Sequence, residues 1–113
     1  MVSHLVLLKP RPDLTPAQRG GFVDAFERAV TAIPSVRGVR IGTRLRHGAG
    51  YEAGMPDVGD YLAVIDFDDL RGLQEYLRHD AHEPLGQLFR TELSGALVYD
   101  FEVGGVERLR ALV

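Results

Sequence analysis

The hydrophobic positions of this chain follow two periods, one typical of strands and one typical of helices. Short runs rich in β-branched and aromatic residues predict four strands, at residues 2–9, 36–46, 60–67 and 96–103. Apolar residues spaced three and four apart predict three helices. Their stripes are Phe22, Phe26, Ala29, Val30 and Ile33, then Leu70, Leu73, Tyr76 and Leu77, then Leu85, Leu88, Phe89 and Leu93. The elements therefore follow the order βαββααβ.

Prolines and capping residues mark where these elements begin and end. Pro10 cannot donate to a β-ladder, so it ends the first strand. Thr15 and Gln18 have the spacing of a capping box at the start of the first helix, which Pro34 stops. Pro84 suits the first turn of the third helix. Residues 47–59 carry four glycines and a proline, and we predict a loop there.

The element order predicts an α+β fold of ferredoxin-like type, in which helices cover one face of a four-stranded antiparallel sheet. The first strand, however, presents Val6 and Leu8 beside His4 on one side and Leu5 and Leu7 on the other. Helices on one face leave the second apolar face bare, and large bare apolar faces usually mark an interface. We therefore expect a homodimer packed sheet to sheet.

Composition restricts the class of protein further. The 113 residues, 45% hydrophobic and 26% charged, fit one globular domain, which we place at 1–103 with a tail at 104–113. The absence of cysteine excludes disulfides and thiolate zinc sites. A net charge of −3 with scattered arginines argues against a nucleic-acid partner. No run is long enough to cross a membrane and no export signal is visible, so we expect a cytoplasmic protein.

Several short motifs together resemble one known family, the stress-responsive dimeric α/β-barrel proteins. They are "HLVLLK" with His4, "IPSV", "YLAVIDF", "YLRHDAH" and "LVYDF". The resemblance implies a homodimer with a pocket between sheet and helices in each subunit. The family includes plant stress proteins and a polyketide cyclase that promotes an intramolecular aldol condensation without metal or cofactor.

The resemblance also implies a site. His4, Tyr76 and His82 match three pocket residues of the cyclase, and we predict them as catalytic. A neutral imidazole can take a proton next to a carbonyl, and a tyrosine hydroxyl can donate to the resulting enolate. The pocket is predicted to bind a small hydrophobic molecule that bears a carbonyl group. Its predicted substrate-binding residues are Val6, Tyr61, His79 and Phe89, where Tyr61 replaces a histidine of the cyclase.

Simpler roles for the same residues stay open. His79 and His82 can satisfy backbone groups in the turn between the second and third helices, and Tyr76 and His4 can be core residues. Two histidines three apart, with a carboxylate from Asp80 or Glu83, can also share a metal, although the motif lacks the helical context of a metalloprotease site. The third alternative is a stress-related module without catalysis, which binds a small molecule or serves assembly.

Overall fold

The computed structural model, which describes residues 1–113, has the predicted element order and the predicted α+β fold. The strands are β1 (Val2–Pro10), β2 (Gly38–Thr43), β3 (Tyr61–Phe67) and β4 (Leu93–Glu102). The helices are α1 (Pro16–Ala32), α2 (Leu70–Arg78) and α3 (Glu83–Glu92). Short 3-10 turns occupy Gly50–Gly54, Asp80–His82 and Val106–Leu112.

The four strands form one antiparallel sheet in the order β2-β3-β1-β4. The first strand of the chain is therefore central and pairs with both β3 and β4. In this register His4 lies opposite Ile65 on one side and opposite Asp100 on the other. Residues directly opposite each other place their side chains on the same face of a sheet. His4 and Asp100 thus share the face that the helices cover.

Two predicted strand boundaries are wrong. The second strand is Gly38–Thr43 rather than 36–46, because its partner β3 begins at Tyr61, which lies opposite Thr43. Beyond that pair one more hydrogen bond forms, from the Arg44 N–H to the Asp60 carbonyl at 3.0 Å, and the ladder then ends. The fourth strand begins at Leu93 rather than at residue 96, because β1 continues through an irregularity as far as Pro10, which pairs with Leu93.

The predicted capping box of α1 and the predicted position of Pro84 in α3 are confirmed. The Thr15 hydroxyl accepts a hydrogen bond from the Gln18 N–H (3.1 Å), and the Gln18 side chain accepts from the Thr15 N–H (2.9 Å). Asp69 caps α2 by accepting from the Gly72 N–H at 2.9 Å. Pro84 lies in the first turn of α3, as predicted. The two side-chain caps hold α1 and α2, which together with α3 cover the inner face of the sheet.

The core lies between the helices and one face of the sheet. Its largest fully buried side chains are Ile65, Phe67, Leu73 and Tyr76. The opposite face has no covering element and is apolar, as the alternation predicted. Tyr99 and Phe101 are about half exposed there, at 53% and 50%. The apolar residues of this outer face are Leu5, Leu7, Leu62, Val64, Leu97, Tyr99 and Phe101. Ser3, Arg40 and Asp66 lie on the same face.

The last ten residues make no contribution to the core. Every residue from 104 to 113 is exposed, including the apolar side chains of the 3-10 turn Val106–Leu112. None of the helices combines the length and the apolar content needed to cross a bilayer.

Candidate functional site

His4 is buried on the inner face of β1 and is held by a carboxylate. Its side chain is only 8% exposed, and its Nδ1 lies 2.6 Å from Oδ1 of Asp100 on β4. Sequence reasoning missed Asp100. The available signal was a single carboxylate among the apolar residues of "LVYDF". Only the pairing of the first strand with the last brings the two residues together, across 96 positions of the chain.

Tyr76 lies in the middle of α2 and points into the core. It is 1% exposed, and its ring packs against Phe67 with centroids 5.3 Å apart. Burial raises the pKa of Tyr76 to about 12, and no protein group hydrogen-bonds to the phenol oxygen. The hydroxyl therefore keeps its proton at every physiological pH and has it free to donate.

His82 ends the 3-10 turn Asp80–His82 and contacts Tyr76 edge-on. The two ring centroids are 4.8 Å apart, at an interplanar angle of 67°. The half-buried imidazole provides no cap for the N-terminus of α3. Burial lowers the pKa of His82 below its usual value, and the positive charge that His4 can carry lowers it further. At neutral pH the imidazole is thus uncharged and able to accept a proton.

His79, by contrast, caps the 3-10 turn Asp80–His82. Its Nδ1 accepts a hydrogen bond from the Ala81 N–H at 3.0 Å, and its own backbone N–H donates to the carbonyl of Tyr76 at 3.3 Å. One nitrogen of the imidazole is therefore already in use as a cap. Of the two histidines in "YLRHDAH", the structure gives the turn role to His79 and places His82 against Tyr76.

Four residues thus form one connected group, which we call the His–Tyr cluster. It runs from Asp100 through His4 and Tyr76 to His82, and the rings of His4 and Tyr76 have centroids 5.9 Å apart. The cluster contains a carboxylate, two imidazoles and a protonated phenol. Such a set can accept a proton at one end and donate a hydrogen bond at another.

A separate apolar cavity of about 540 Å³ lies between α1 and the sheet. Twelve of its fifteen lining residues are hydrophobic. Phe22 and Phe26 of α1 form part of its roof, and Leu8 of β1 and Ile41 of β2 lie on the sheet side. We refer to it below as the apolar cavity. Its volume is within the range of pockets that bind small molecules.

The predicted site residues do not all line the apolar cavity. Tyr61 lines the apolar cavity, whereas His4, Tyr76 and His82 do not. The reason is the register of the sheet: Tyr61 lies opposite Leu8, and His4 lies opposite Ile65. Four residues along a strand correspond to about 13 Å. Tyr61 is therefore too far along β3 to act beside His4.

Val6 and Phe89 separate the two features. Val6 lies two residues from His4 and two from Leu8 on the same face of β1. Phe89 of α3 packs both against the core that contains Tyr76 and against the core that contains Val6 and Leu8. Its ring stacks on that of Phe22, with centroids 5.7 Å apart. These side chains form a thin apolar wall between the His–Tyr cluster and the apolar cavity.

No three histidine, aspartate or glutamate side chains lie close enough together to share a metal ion. His79, His82 and Asp80 therefore do not form a metal site in the folded chain. The Nδ1 atom of His79 instead accepts a hydrogen bond from the Ala81 N–H.

The fold and the site define a ferredoxin-like α+β protein with a buried acid–base cluster beside an apolar cavity. The chain belongs to the Dabb family, the stress responsive A/B barrel domain, whose model matches residues 2–103. It is 26% identical over 103 residues to olivetolic acid cyclase of Cannabis sativa, and the aligned region covers 88% of this chain and 94% of the cyclase. The predicted family and fold are thereby confirmed.

Solved structures show the same fold. A hydroxynitrile lyase from Passiflora edulis superposes with a TM-score of 0.77 at 13% identity, covering 93% of this chain and 94% of the lyase. A dimeric ferredoxin-like protein of unknown function from Thermobifida fusca gives 0.69 at 22% identity and covers 90% of each chain. At these identities the likeness concerns the fold.

Proposed function

We propose that this protein is a cofactor-independent enzyme of cyclase or lyase type, which acts on a small hydrophobic carbonyl compound of polyketide-like structure. The observation that carries the proposal is the His–Tyr cluster. It juxtaposes a neutral imidazole with a lowered pKa and a phenol that keeps its proton. The similarity to a plant protein named as a cyclase supports the same class of chemistry.

In this proposal His82 is the general base. Its uncharged imidazole removes a proton from the carbon next to a carbonyl, and the C–H electron pair moves into the enolate. Tyr76 donates a hydrogen bond to the enolate oxygen where negative charge develops. The enolate carbon then attacks a second carbonyl of the same molecule, forming the ring bond. The imidazolium of His82 returns its proton to the new alkoxide, so protons and electrons balance.

His4 and Asp100 orient the cluster from the other side of Tyr76. When Nδ1–H of a neutral His4 donates to the Asp100 carboxylate, Nε2 of the same ring is left as an acceptor. A carboxylate partner of this kind fixes the orientation of an imidazole and stabilises its protonated form. We assign His4 to orienting the substrate or His82, and Asp100 to positioning His4.

Substrate is proposed to enter through the apolar cavity. Because Val6 and the Phe22–Phe89 pair stand between the cavity and the cluster, a bound molecule reaches His82 only when these side chains move apart. Rotamer changes of aromatic side chains at a partly buried wall are ordinary motions of folded proteins. Val6 and Phe89 are thereby given the substrate-contacting role predicted for them.

Enolisation of a simple ketone tests the proposal without knowledge of the natural substrate. We expect the protein to incorporate deuterium next to the carbonyl of 2-nonanone in D2O, measured by proton NMR. His82→Gln should reduce the enzyme-dependent rate by at least about 100-fold, since general-base catalysis contributes about that much. Equal rates for wild type and H82Q, with circular dichroism showing both folded, would exclude His82 as the base.

A second candidate function is a binding or assembly module without catalysis. It is favoured by one observation, namely that the apolar cavity does not touch His4, Tyr76 or His82. A module of this kind would bind 2-nonanone in the cavity but leave its protons unexchanged. The NMR experiment therefore distinguishes the two candidates directly.

We further propose that the working form is a homodimer. The bare outer face of the sheet carries Leu5, Leu7, Leu62, Val64, Tyr99 and Phe101, and apolar faces of this extent are normally covered. Solved structures of the same fold are described as dimeric. Sheet-to-sheet packing of two copies would bury this face on both chains.

A further inference from the structure

One cationic side chain stands at the edge of the otherwise apolar cavity. Arg19 of α1 is the only basic residue among the fifteen that line it. Five other arginines of the chain form ion pairs with carboxylates, but the Arg19 guanidinium forms neither an ion pair nor a hydrogen bond. Its donors are therefore available to a ligand.

Helix geometry places Arg19 at one end of a long apolar stripe. Phe22, Phe26 and Val30 follow it at spacings of three, four and four residues, and all line the cavity. From Arg19 to Val30 the helix rises about 16 Å. Leu14, immediately before the Thr15 cap, lines the cavity at the Arg19 end. The roof of the cavity is thus elongated, with its positive charge at one end.

We propose that the apolar cavity binds an elongated molecule with an apolar body and a carboxylate at one end, and that Arg19 binds the carboxylate. Guanidinium groups match carboxylates with two parallel hydrogen bonds, which gives direction as well as attraction. This inference deepens the proposed function, on whose use of the cavity it rests, by naming the chemical class of the ligand and the orientation in which it lies.

Glu27 and Asp13 oppose this arrangement only weakly. Glu27 also lines the cavity, but it follows Arg19 by eight residues, about 12 Å along the helix axis. That separation exceeds the screening length at physiological salt, about 8 Å, so repulsion on a carboxylate at Arg19 is weak. Asp13, close to the Arg19 end in sequence, is neutralised by Arg11 at 2.6 Å. The Arg19 end therefore stays favourable to an anion.

A matched pair of probes tests the proposal. Decanoate and 1-decanol share a ten-carbon chain but differ in the charged group, and their binding to the full-length protein is measured by isothermal titration calorimetry. We expect wild type to bind decanoate at least about fivefold more tightly than 1-decanol. Arg19→Gln should weaken decanoate binding about five- to tenfold, as loss of a partly exposed charged hydrogen bond does, and leave 1-decanol binding unchanged.

Two control variants locate the effect. Arg28 is also exposed and unpaired on α1, but nine residues from Arg19 it points to the opposite side of the helix. Arg28→Gln should therefore leave both affinities unchanged. Ile41→Trp adds bulk at a residue that lines the cavity and is 58% exposed, and should weaken both probes alike.

Equal affinity of wild type for the two probes, or decanoate binding that R19Q does not change, would overturn the assignment of Arg19. Failure of both probes to bind, or binding that I41W does not affect, would overturn the cavity as their site. The proton exchange of 2-nonanone and its loss in H82Q are measured independently of these binding results. A failure of the ligand class and a failure of the proposed chemistry are therefore told apart.

Discussion

Tyr76 shows at the scale of one residue how function and stability separate. Its hydroxyl forms no hydrogen bond with a protein group, although the residue as a whole is only 1% exposed. Its ring, in contrast, packs against Phe67, His4 and His82 and is part of the core. A hydroxyl that bonds to no protein group adds little to the stability of the fold, and the proposed chemistry gives it a role.

Removing only this hydroxyl should separate the two effects. We expect Tyr76→Phe to change the free energy of unfolding by less than about 1 kcal/mol, because no hydrogen bond within the protein is lost. The deuterium exchange rate should fall about 100-fold, because the enolate loses its donor. Urea unfolding and NMR measure the two quantities. Tyr51→Phe, in the exposed 3-10 turn Gly50–Gly54, is the control; it loses only a long, exposed contact with His47 and should change neither.

The protonation of His82 should set the acid side of the activity profile. Its pKa lies below the usual 6.5, because burial and then His4 disfavour the charged form. The exchange rate should therefore persist below pH 6.5 and fall with a midpoint beneath that value. An acid midpoint at or above 6.5 would contradict the assignment. His47→Gln, which removes an exposed histidine, should leave the profile unchanged.

The same shift affects stability with a definite sign. A histidine whose pKa is lowered by folding favours the native state above its unfolded pKa of about 6.5, and this contribution is lost as pH falls through the folded pKa. The unfolding free energy of wild type relative to H82Q should therefore decrease from pH 7 towards pH 5. Guanidinium titrations at several pH values measure it.

At the scale of elements, α1 is less stable than it would be with alanine in its first turns. Gly20 and Gly21 lie in its first turns, and a Cβ added at either position meets no atom within 4 Å. Neither glycine is therefore needed for close packing. Each lowers helix stability relative to alanine by about 0.5–1 kcal/mol. The helix that forms the roof of the apolar cavity is thus held mainly by its capping box and its apolar stripe.

Alanine at these positions should stabilise the protein. We expect Gly20→Ala and Gly21→Ala each to raise the unfolding free energy by about 0.5–1 kcal/mol. Thermal unfolding followed by circular dichroism checks this. Gly95→Ala is the contrast, because its Cβ would lie 3.2 Å from Cγ1 of Val58, and it should give no gain. A destabilised G20A would mean that the first turn of α1 packs against something in the assembled protein.

At the scale of the whole molecule, the sheet has two apolar faces and the chain has helices for only one of them. The inner face is covered by α1, α2 and α3, whereas Tyr99 and Phe101 remain half exposed on the outer face. Covering this face with a second copy would also remove the chance of non-specific association through exposed apolar surface.

The proposed dimer predicts a solution mass of two chains at micromolar concentration in sedimentation equilibrium. Tyr99→Asp should shift the equilibrium strongly to single chains, because each copy would bury a charge in an apolar contact. Tyr51→Asp removes an equally large, 66% exposed tyrosine away from the outer face and should leave the mass at two chains. Wild type sedimenting as a single chain would contradict the proposal.

Much of the architecture was readable in the sequence because it is encoded by neighbours along the chain. Thr15 and Gln18 cap a helix three residues apart, Pro84 begins the next, and strand alternation assigns His4 to one face. Strand ends were less readable, since β2 stops where its partner β3 runs out. A strand can pair only as far as its partner strand extends, and the residues of the strand itself do not indicate the length of that partner.

The candidate site, like the fold, was predictable from the sequence only in part. His4, Tyr76 and His82 could be named from motifs, and their residue types already suggested acid–base chemistry. Only tertiary structure decided that Asp100 joins His4 and that Tyr61 lies in a separate cavity.

Local sequence thus determined the elements, their caps and the types of reactive side chain, because those depend on interactions within a few residues. Only the folded chain gave the pairing of the first strand with the last and the wall of Val6 and Phe89. It also gave the separation of about 13 Å along β3 between Tyr61 and the residue opposite His4. Contacts between distant segments depend on register and packing of the whole sheet, which no short stretch of sequence contains.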